Sequence, residues 1–105
     1  MKIQIIKRPA AYHNIEEIVS YLRKTAGSTR ARRFLDQVQV TLDQIAEQPL
    51  SGTLWDSPKP GLQNLRVRVI PGFRNYVLFY IPGDRSVELL HILHGARDIA
   101  AIFED

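Results

Sequence analysis

The spacing of apolar residues changes once along this chain, at a segment between residues 49 and 61 that is rich in proline and glycine. Before this segment, apolar residues recur every three or four positions in two stretches separated by Gly27. After it, they recur at alternate positions in three stretches, separated by turn residues at 71–72 and 82–84. The first spacing is typical of amphipathic helices and the second of strands. We therefore expect two helices followed by three strands.

Single residues predict where the helices begin and end. Pro9 is expected to open the first helix, because proline lacks the N–H that a first turn leaves unpaired. Gly27 is expected to close it, and Ser28 or Thr29 to cap a second helix that ends before Pro49. Because the linker is so short, the two helices are expected to pair as an antiparallel hairpin.

The predicted fold class is α+β, with an N-terminal strand, the helical hairpin packed on a mainly antiparallel sheet, and a short C-terminal helix. Strands are expected over residues 2–7, 63–70, 74–81 and 86–94, and the last helix over 97–103. A single domain spanning residues 1–105 fits the length and the 45% of hydrophobic residues. The place of the first strand in the sheet stays open.

Composition excludes several classes of protein. The chain has no cysteine, which removes disulfides, thiolate zinc sites and thiol catalysis. Its longest apolar run, residues 76–81, is far shorter than the roughly 18 residues of a membrane span, and the N-terminal segment has no signal-peptide core. We therefore expect a cytoplasmic protein without membrane contact. The net charge of +3 gives a mild preference for acidic partners or nucleic acid.

Tight turns between the last three strands predict which residues share a face of the sheet. They pair Ile70 with Phe73 and Val67 with Tyr76, and then Ile81 with Ser86 and Tyr76 with His91. One face is then almost wholly apolar and is expected to lie under the helices; its residues are Leu65, Val67, Val69, Tyr76, Leu78, Tyr80, Val87, Leu89, His91 and Leu93. The other face is half apolar and half charged, with Arg66, Arg68, Val77, Phe79, Glu88, Leu90, Ile92 and His94. We expect the last helix or a partner chain to cover part of it.

Candidate site residues are mostly cationic. Arg66 and Arg68 could form a cationic patch with His94 and Arg97, or could simply lie on an exposed strand edge. The cluster Arg30, Arg32 and Arg33 is either a solvated helix turn or a contact for an acidic segment or a phosphate backbone. In the run from His94 to Asp98, the aspartate is expected to accept an N–H at the start of the last helix. His91 and His94 lie three apart on a strand and point to opposite faces, so no metal site or cofactor is expected.

The order of these segments resembles the ParE-type toxins of the RelE/ParE superfamily. The resemblance rests on Pro49-Leu50-Ser51-Gly52, on 65–73, on 76–80 and on 93–99, and it covers almost the whole chain. It implies the toxin of a bacterial type II toxin–antitoxin pair, silenced by a cognate antitoxin that is ParD-like or another small protein. Operator DNA would then be contacted only through the antitoxin. ParE-type members poison DNA gyrase and arrest growth, whereas RelE-type relatives cleave mRNA in the ribosome.

The resemblance also separates these two activities. The arginine that RelE-type enzymes carry after the first tyrosine falls on Val77, and their late tyrosine falls on Phe103. Neither residue binds phosphate or transfers a proton, so gyrase binding is favoured over an endoribonuclease and no catalytic residue is assigned. A degenerate toxin without a target is a third possibility. We expect the gyrase surface to meet His94, Arg97, Asp98, Arg66 and Arg68. We expect the antitoxin to meet Tyr21, Val40, Val77, Phe79, Leu90 and Ile92.

Overall fold

The computed structural model describes residues 3–99 and 102, apart from the side chains of Ala96 and Arg97. Its elements are β1 (Gln4–Lys7), α1 (Pro9–Ala26), α2 (Ser28–Glu47), β2 (Thr53–Leu54), β3 (Arg66–Ile70), β4 (Phe73–Pro82), β5 (Ser86–His94) and α3 (Gly95–Ile99). The five strands form one sheet in the order β1-β5-β4-β3-β2. β1 runs parallel to β5 and the other pairs are antiparallel, which confirms the α+β class.

A single residue, Gly27, connects the two helices of the hairpin. Pro9 lies in the first turn of α1, and Gly27 ends that helix with a φ of 92°. This left-handed conformation is open to glycine and strained for other residues. Gly27 also stands at the N-cap of α2, so the predicted cap by Ser28 or Thr29 is wrong. Ser28 already belongs to the first turn, and α2 gains no side-chain cap.

One core lies between the helices and the sheet. Phe34 of α2 is fully buried and meets Phe73 and Tyr76 edge to face, with ring centroids 5.3 and 5.4 Å apart. Edge-to-face pairs at this spacing add to the stabilisation that burial alone provides. The strand residues of this core are Ile70, Phe73, Tyr76, Leu78, Tyr80, Val87, Leu89 and Ile92.

A second core lies on the opposite face of the sheet. Its buried members are Leu65, Phe79, Leu90, Leu93 and Ile99, with Trp55, Leu62, Val67, Val77, Ile81 and Ile102 packed against them. The expectation that the last helix covers this face is confirmed for Ile99 and Ile102, while Phe103 lies outside the described residues. The segment from Trp55 to Leu62 adds a cover that the sequence did not predict.

Two irregularities in strand pairing correct the predicted faces. The pairing shifts between Val69 and Ile70 in β3 and between Phe79 and Tyr80 in β4. Ile70 pairs with Phe73 as predicted, but Val67 pairs with Phe79, Tyr76 with His94 and Ile81 with Glu88. Since strand side chains alternate, a shift of one residue moves a side chain to the other face. Leu65, Val67 and Leu93 therefore lie in the second core and Ile92 in the first.

The ends of several elements also differ from prediction. β2 falls inside the segment predicted as a loop, and α3 begins two residues earlier than the predicted helix. Residues 100, 101 and 103–105 lie outside the described part, so the predicted end of that helix is not tested. No helix within residues 3–99 is long and apolar enough to cross a membrane.

Candidate functional site beside the turn from β5 to α3

A cleft opens between α1 and the end of β5. Its volume is about 380 Å³, and we refer to it as the His94 cleft. Its lining residues are Asn14, Glu17, Ile18, Tyr21, Tyr76, Ile92, Leu93, His94 and Asp98. The rings of Tyr76 and His94 stand edge to face with centroids 5.1 Å apart, because these residues are directly paired across β4 and β5.

The turn from β5 to α3 positions the polar groups of the cleft. Gly95 has a φ of 52°, which lets the chain change direction directly after His94. Asp98 Oδ2 accepts the backbone N–H of His94 at 3.4 Å. This N–H belongs to the last residue of β5, directly before α3, rather than to the helix that the carboxylate was predicted to cap. The imidazole of His94 and the carboxylate of Asp98 therefore lie in the same cleft. The side chain of Arg97 lies outside the described residues.

Asn14 forms the inner wall of the cleft. Its Oδ1 accepts the N–H of Ile92 at 3.2 Å and lies 3.1 Å from Nδ1 of His91. Burial lowers the pKa of His91 below 6.5, and the positive charges of Arg8 and Lys59 lower it further. The neutral ring is thus favoured, with Nδ1 donating to Asn14. His91 is therefore a half-buried imidazole that is bonded to a neighbour.

Tyr21 forms the outer wall and is 59% exposed. Next to it, the carboxylate of Glu17 lies 3.0 Å from Nε2 of His13. Both Glu17 and Tyr21 also line a second concavity along α1, which continues to Glu16 and Lys24. The rim of the His94 cleft is therefore an exposed helix surface with an aromatic ring and a carboxylate.

The described lining of the cleft is locally acidic. It contains the carboxylates of Glu17 and Asp98, and none of its nine residues is lysine or arginine. The protein as a whole carries a net charge of +3. Within residues 3–99 and 102, no three His, Asp or Glu side chains gather as a metal site would require.

Arg66 and Arg68 do not join His94 in a cationic patch. Arg66 donates to the carbonyls of Leu50 at 3.0 Å and Gly52 at 2.9 Å, and Arg68 to Gln44 Oε1 at 2.6 Å. Their strand, β3, is separated from β5 by β4. The predicted face was wrong because of the register shift described above, so both arginines lie on the side of α2. The patch is corrected to a structural contact with the segment 50–52.

The three arginines at the start of α2 also differ in their surroundings. Arg30 donates to the carbonyl of Gly72 at 3.1 Å, and its guanidinium lies 4.0 Å from the centre of the Phe73 ring. This residue therefore braces the turn between β3 and β4. Arg32 and Arg33 are exposed, as a solvated helix turn requires.

Most of the apolar residues predicted to meet an antitoxin are not at the surface. Phe79, Leu90 and Ile92 are buried in the two cores, and Val77 packs against the second core. The prediction treated their face as half open, but Trp55, Leu62, Ile99 and Ile102 cover Val77, Phe79 and Leu90. Ile92 lies on the other face, in the first core. From this predicted set, Tyr21 and Val40 are exposed, at 59% and 42%.

Sequence reasoning missed other residues at these surfaces. Asn14, Glu17 and Tyr76 line the His94 cleft, yet in the sequence they look like ordinary members of a helix and a strand. Tyr76 could have been predicted to lie beside His94 if the irregular pairing between β4 and β5 had been known. Leu54 and Val69 are exposed near the β2 edge of the sheet, where the predicted elements placed a loop and a core residue.

Comparisons with known proteins fit this geometry. The family described as the ParE toxin of the type II toxin–antitoxin system, parDE, matches residues 5–99. The toxin ParE1 of Mycobacterium tuberculosis is 26% identical over 100 residues, covering 94% of this chain and 96% of that protein.

Two solved structures share the fold. One is a chain of the chromosomal ParDE toxin–antitoxin system from P. aeruginosa, with a TM-score of 0.72, 11% identity, and coverage of 90% of this chain and 97% of that one. The other is the YoeB dimer from Staphylococcus aureus, with a TM-score of 0.55, 15% identity, and coverage of 87% and 94%. Since the family match spans nearly all of the described residues, this chain belongs to the ParE family of toxins of type II toxin–antitoxin systems.

Proposed function

We propose that this chain inhibits DNA gyrase by non-covalent binding and is held inactive by a cognate antitoxin. The observation that carries the proposal is the use of the strand arginines. A nuclease needs cations beside the scissile phosphate, whereas Arg66 and Arg68 donate their hydrogen bonds to the segment 50–52 and to α2. The position at which RelE-type enzymes carry an arginine is Val77, which packs against the second core.

The charge of the His94 cleft supports the same choice. Cleavage of RNA by its own 2′-hydroxyl builds negative charge on the phosphate, which carboxylates such as Glu17 and Asp98 would repel. A protein surface, in contrast, is bound by shape, apolar contact and matched hydrogen bonds rather than by a cluster of cations. We therefore assign His94, Asp98 and the neighbouring Arg97 to contact with gyrase.

An endoribonuclease is the second candidate, and one observation favours it. His94 and Tyr76 are ring neighbours in an open cleft, and imidazole and phenol groups are both able to move protons. If Arg97 supplied the cation, the cleft would hold part of a catalytic set. The same assay must therefore measure both activities.

The experiment adds the purified chain to gyrase and relaxed plasmid, and in parallel to ribosomes carrying mRNA. We expect supercoiling to be inhibited and the mRNA to stay intact. His94→Ala should raise the concentration needed for half-inhibition about tenfold, as expected for an interface residue of moderate importance. The matched control is Arg68→Gln, which alters a residue remote from the cleft and should inhibit as the parent chain does. Cut mRNA with unaffected supercoiling would replace this proposal with the second candidate.

We assign neutralisation to the exposed face of the helical hairpin around Tyr21 and Val40. The antitoxin is expected to be a small protein, ParD-like or of another class, and to bring operator DNA into the complex through its own surface. Val40→Asp should weaken antitoxin binding at least tenfold, because it places a charge in a desolvated contact. Leu54→Asp is the matched control, since Leu54 is similarly exposed but lies at the β2 edge of the sheet. Equal loss in both variants would contradict the assignment to the hairpin.

A further inference from the structure

The turn between the two helices of the hairpin concentrates positive charge. Residues 23–33 contain five lysine or arginine residues and no aspartate or glutamate, whereas the whole chain has 14 basic against 11 acidic residues. Arg30 is used inside the fold, where it donates to the carbonyl of Gly72 and lies over the Phe73 ring. The other four are exposed, and we call them the hairpin tip: Arg23, Lys24, Arg32 and Arg33.

The cations of the hairpin tip have no anionic partner within the described part of the chain. None of their side chains forms an ion pair or a hydrogen bond there. The nearest acidic residues along the two helices are Glu17, six positions before Arg23, and Asp36, three positions after Arg33. Glu17 pairs with His13 instead. The positive charge of the tip is therefore not balanced by the neighbouring side chains of α1 and α2.

The helix dipoles account for half of these cations. Arg23 and Lys24 lie in the last turn of α1, where the partial negative charge of a helix C-terminus favours them. Arg32 and Arg33 follow the start of α2, where a helix carries partial positive charge and gains from acidic residues, of which its first turn has none. The stability of α2 therefore does not explain this arginine pair, whereas an anionic ligand would.

The tip also lacks the apolar side chains that anchor a protein partner. Between Tyr21 and Leu35, no large apolar side chain of the two helices is exposed. Protein interfaces are built around a core of aromatic and other apolar residues. Phosphate groups are bound instead by lysine, arginine, hydroxyl and backbone N–H groups. Ser28 and Thr29 add exposed hydroxyls next to the cations, and α2 has no side-chain cap that engages them.

The size of the tip fits a nucleic-acid duplex. Because Gly27 alone connects the helices, all four cations lie within six positions of it, or about 9 Å along the helix axes. A duplex presents one negative charge for about every 1.7 Å of its axis, so such a tip meets several phosphates at once. Single strands are bound largely through aromatic rings that stack on their bases, and residues 22–34 expose no ring.

We propose that the hairpin tip binds the phosphate backbone of duplex DNA, independently of base sequence. Arg32 and Arg33 would each pair a guanidinium with phosphate oxygens, and Arg23 and Lys24 would add charge from the neighbouring helix. The proposal goes beyond gyrase inhibition, because it gives the toxin a DNA contact of its own. It also departs from the expectation that operator DNA is reached only through the antitoxin.

The test is fluorescence anisotropy of a short labelled DNA duplex, titrated with the purified full chain at several salt concentrations. The logarithm of the association constant should fall against the logarithm of the salt concentration with a slope of about −3 to −4, as expected for four phosphate contacts. Two duplexes of unrelated sequence should bind within about twofold of each other, because backbone contacts carry no sequence information.

Variants of the arginine pair sharpen the test. Arg32→Gln and Arg33→Gln should each weaken binding about three- to tenfold in low salt and make the slope shallower by about 0.9. Arg85→Gln is the matched control, since Arg85 is exposed in the turn after β4, at the other end of that strand from Gly72, and its replacement removes the same charge. It should change binding by less than about twofold. Because all three side chains are exposed, denaturant unfolding should show no appreciable loss of stability in these variants.

The proposal is wrong if the duplex does not bind in low salt, or if Arg85→Gln weakens binding as much as the tip variants do. Tighter binding of a polyglutamate peptide would assign the tip to an acidic protein segment. Tighter binding of a single strand or of an RNA duplex would assign it to another nucleic acid, and each of these outcomes overturns the proposal. Gyrase is absent from the titration, so a failure to inhibit gyrase would leave this inference standing.

Discussion

Two regions of the sheet carry polar side chains of similar type but use them in opposite ways. At the β2–β3 side, Tyr80, Arg66 and Arg68 bond to groups of the chain itself, a region that we call the Tyr80 anchor. At the end of β5, His94 and Asp98 line an open cleft, with the exposed Tyr21 beside them. Polar groups that bond within the chain contribute to its stability, whereas an open cleft also presents side chains such as that of Tyr21 to a partner.

The Tyr80 anchor explains the segment Pro49-Leu50-Ser51-Gly52. Tyr80 Oη donates to the carbonyl of Pro49 at 2.8 Å and accepts the N–H of Gly52 at 2.8 Å. Arg66 then binds the carbonyls of Leu50 and Gly52 from the neighbouring strand. The end of α2 is thereby fixed to the sheet. The motif that contributed to the family resemblance is thus a structural clamp, and the comparison of the two regions predicts loss of stability there and loss of binding at the cleft.

Within the Tyr80 anchor, the largest expected effect is that of Gly52→Ala. A Cβ at this position would lie 2.7 Å from Tyr80 Oη and 3.1 Å from the Cβ of Arg66, so the clamp would have to open. We expect the free energy of unfolding to fall by about 2–3 kcal/mol, from overpacking and a lost hydrogen bond. Denaturant unfolding measures this, with Thr53→Ala as an exposed neighbour for control. A change below 0.5 kcal/mol, about the size of an ordinary surface effect, would mean that the clamp is not rigid.

Tyr80→Phe is expected to have a somewhat smaller effect. It removes the hydroxyl but keeps the buried ring, and leaves the N–H of Gly52 and the carbonyl of Pro49 without that partner. The cost should be about 1–3 kcal/mol, since buried polar groups that lose a partner are expensive. Tyr21→Phe is the matched control, because its hydroxyl belongs to an exposed side chain, and it should be neutral in the same unfolding experiment. Similar losses in both variants would remove the contrast between anchor and cleft.

The pH dependence of stability is expected to come in part from His91. Its pKa in the folded chain lies below 6.5, so the unfolded chain binds more protons as the pH falls below that value. The contribution of His91 is therefore fully present above pH 6.5 and is lost as the pH falls towards its lower folded pKa. His91→Gln should flatten the slope of the free energy of unfolding against pH in that window.

The control for this prediction is His13→Gln, because His13 is exposed on α1. Because this side chain is exposed, its replacement should change the free energy of unfolding at pH 8 by less than about 0.5 kcal/mol. An unchanged slope in His91→Gln, or a rise in stability of the parent chain on acidification, would contradict the prediction.

The sequence predicted where the helices and strands lie better than it predicted which face of the sheet each side chain occupies. Pro9, Gly27 and Pro49 mark the helix ends because their backbone chemistry is local, and the structure confirms all three. The faces of β3 and part of β5 depend on irregular pairing at Val69/Ile70 and Phe79/Tyr80, which arises from contacts between strands. The local pattern of apolar residues in the sequence does not reveal such shifts in strand pairing. For that reason the arginine pair was assigned to the wrong side of the sheet.

The residues of the candidate site were likewise predicted only where a local sequence feature marks them. His94 and Asp98 were identified because they flank a glycine turn, a feature visible in a short stretch of sequence. Glu17 and Asn14 come from a helix some 80 positions away, and only tertiary packing brings them to the cleft. The cover of the second sheet face by Trp55 could not be predicted either, since a loop residue has no periodicity that reveals what it packs against.

A substitution of Trp55 in this cover has the smallest expected effect on the free energy of unfolding. Trp55 stands edge to face with Phe79 at 5.5 Å, but its indole Nε1–H is buried without a hydrogen-bond partner among the described residues. Trp55→Phe would remove some apolar contact together with this unpaired donor, and the two changes oppose each other. We expect the free energy of unfolding to change by less than about 1 kcal/mol, far less than the roughly 3–5 kcal/mol that Phe79→Ala should cost. Thermal and denaturant unfolding of both variants measure this difference. A large loss in Trp55→Phe would mean that the indole N–H has a partner such as bound water, and that the second core depends on the loop as firmly as the first depends on the Tyr80 anchor.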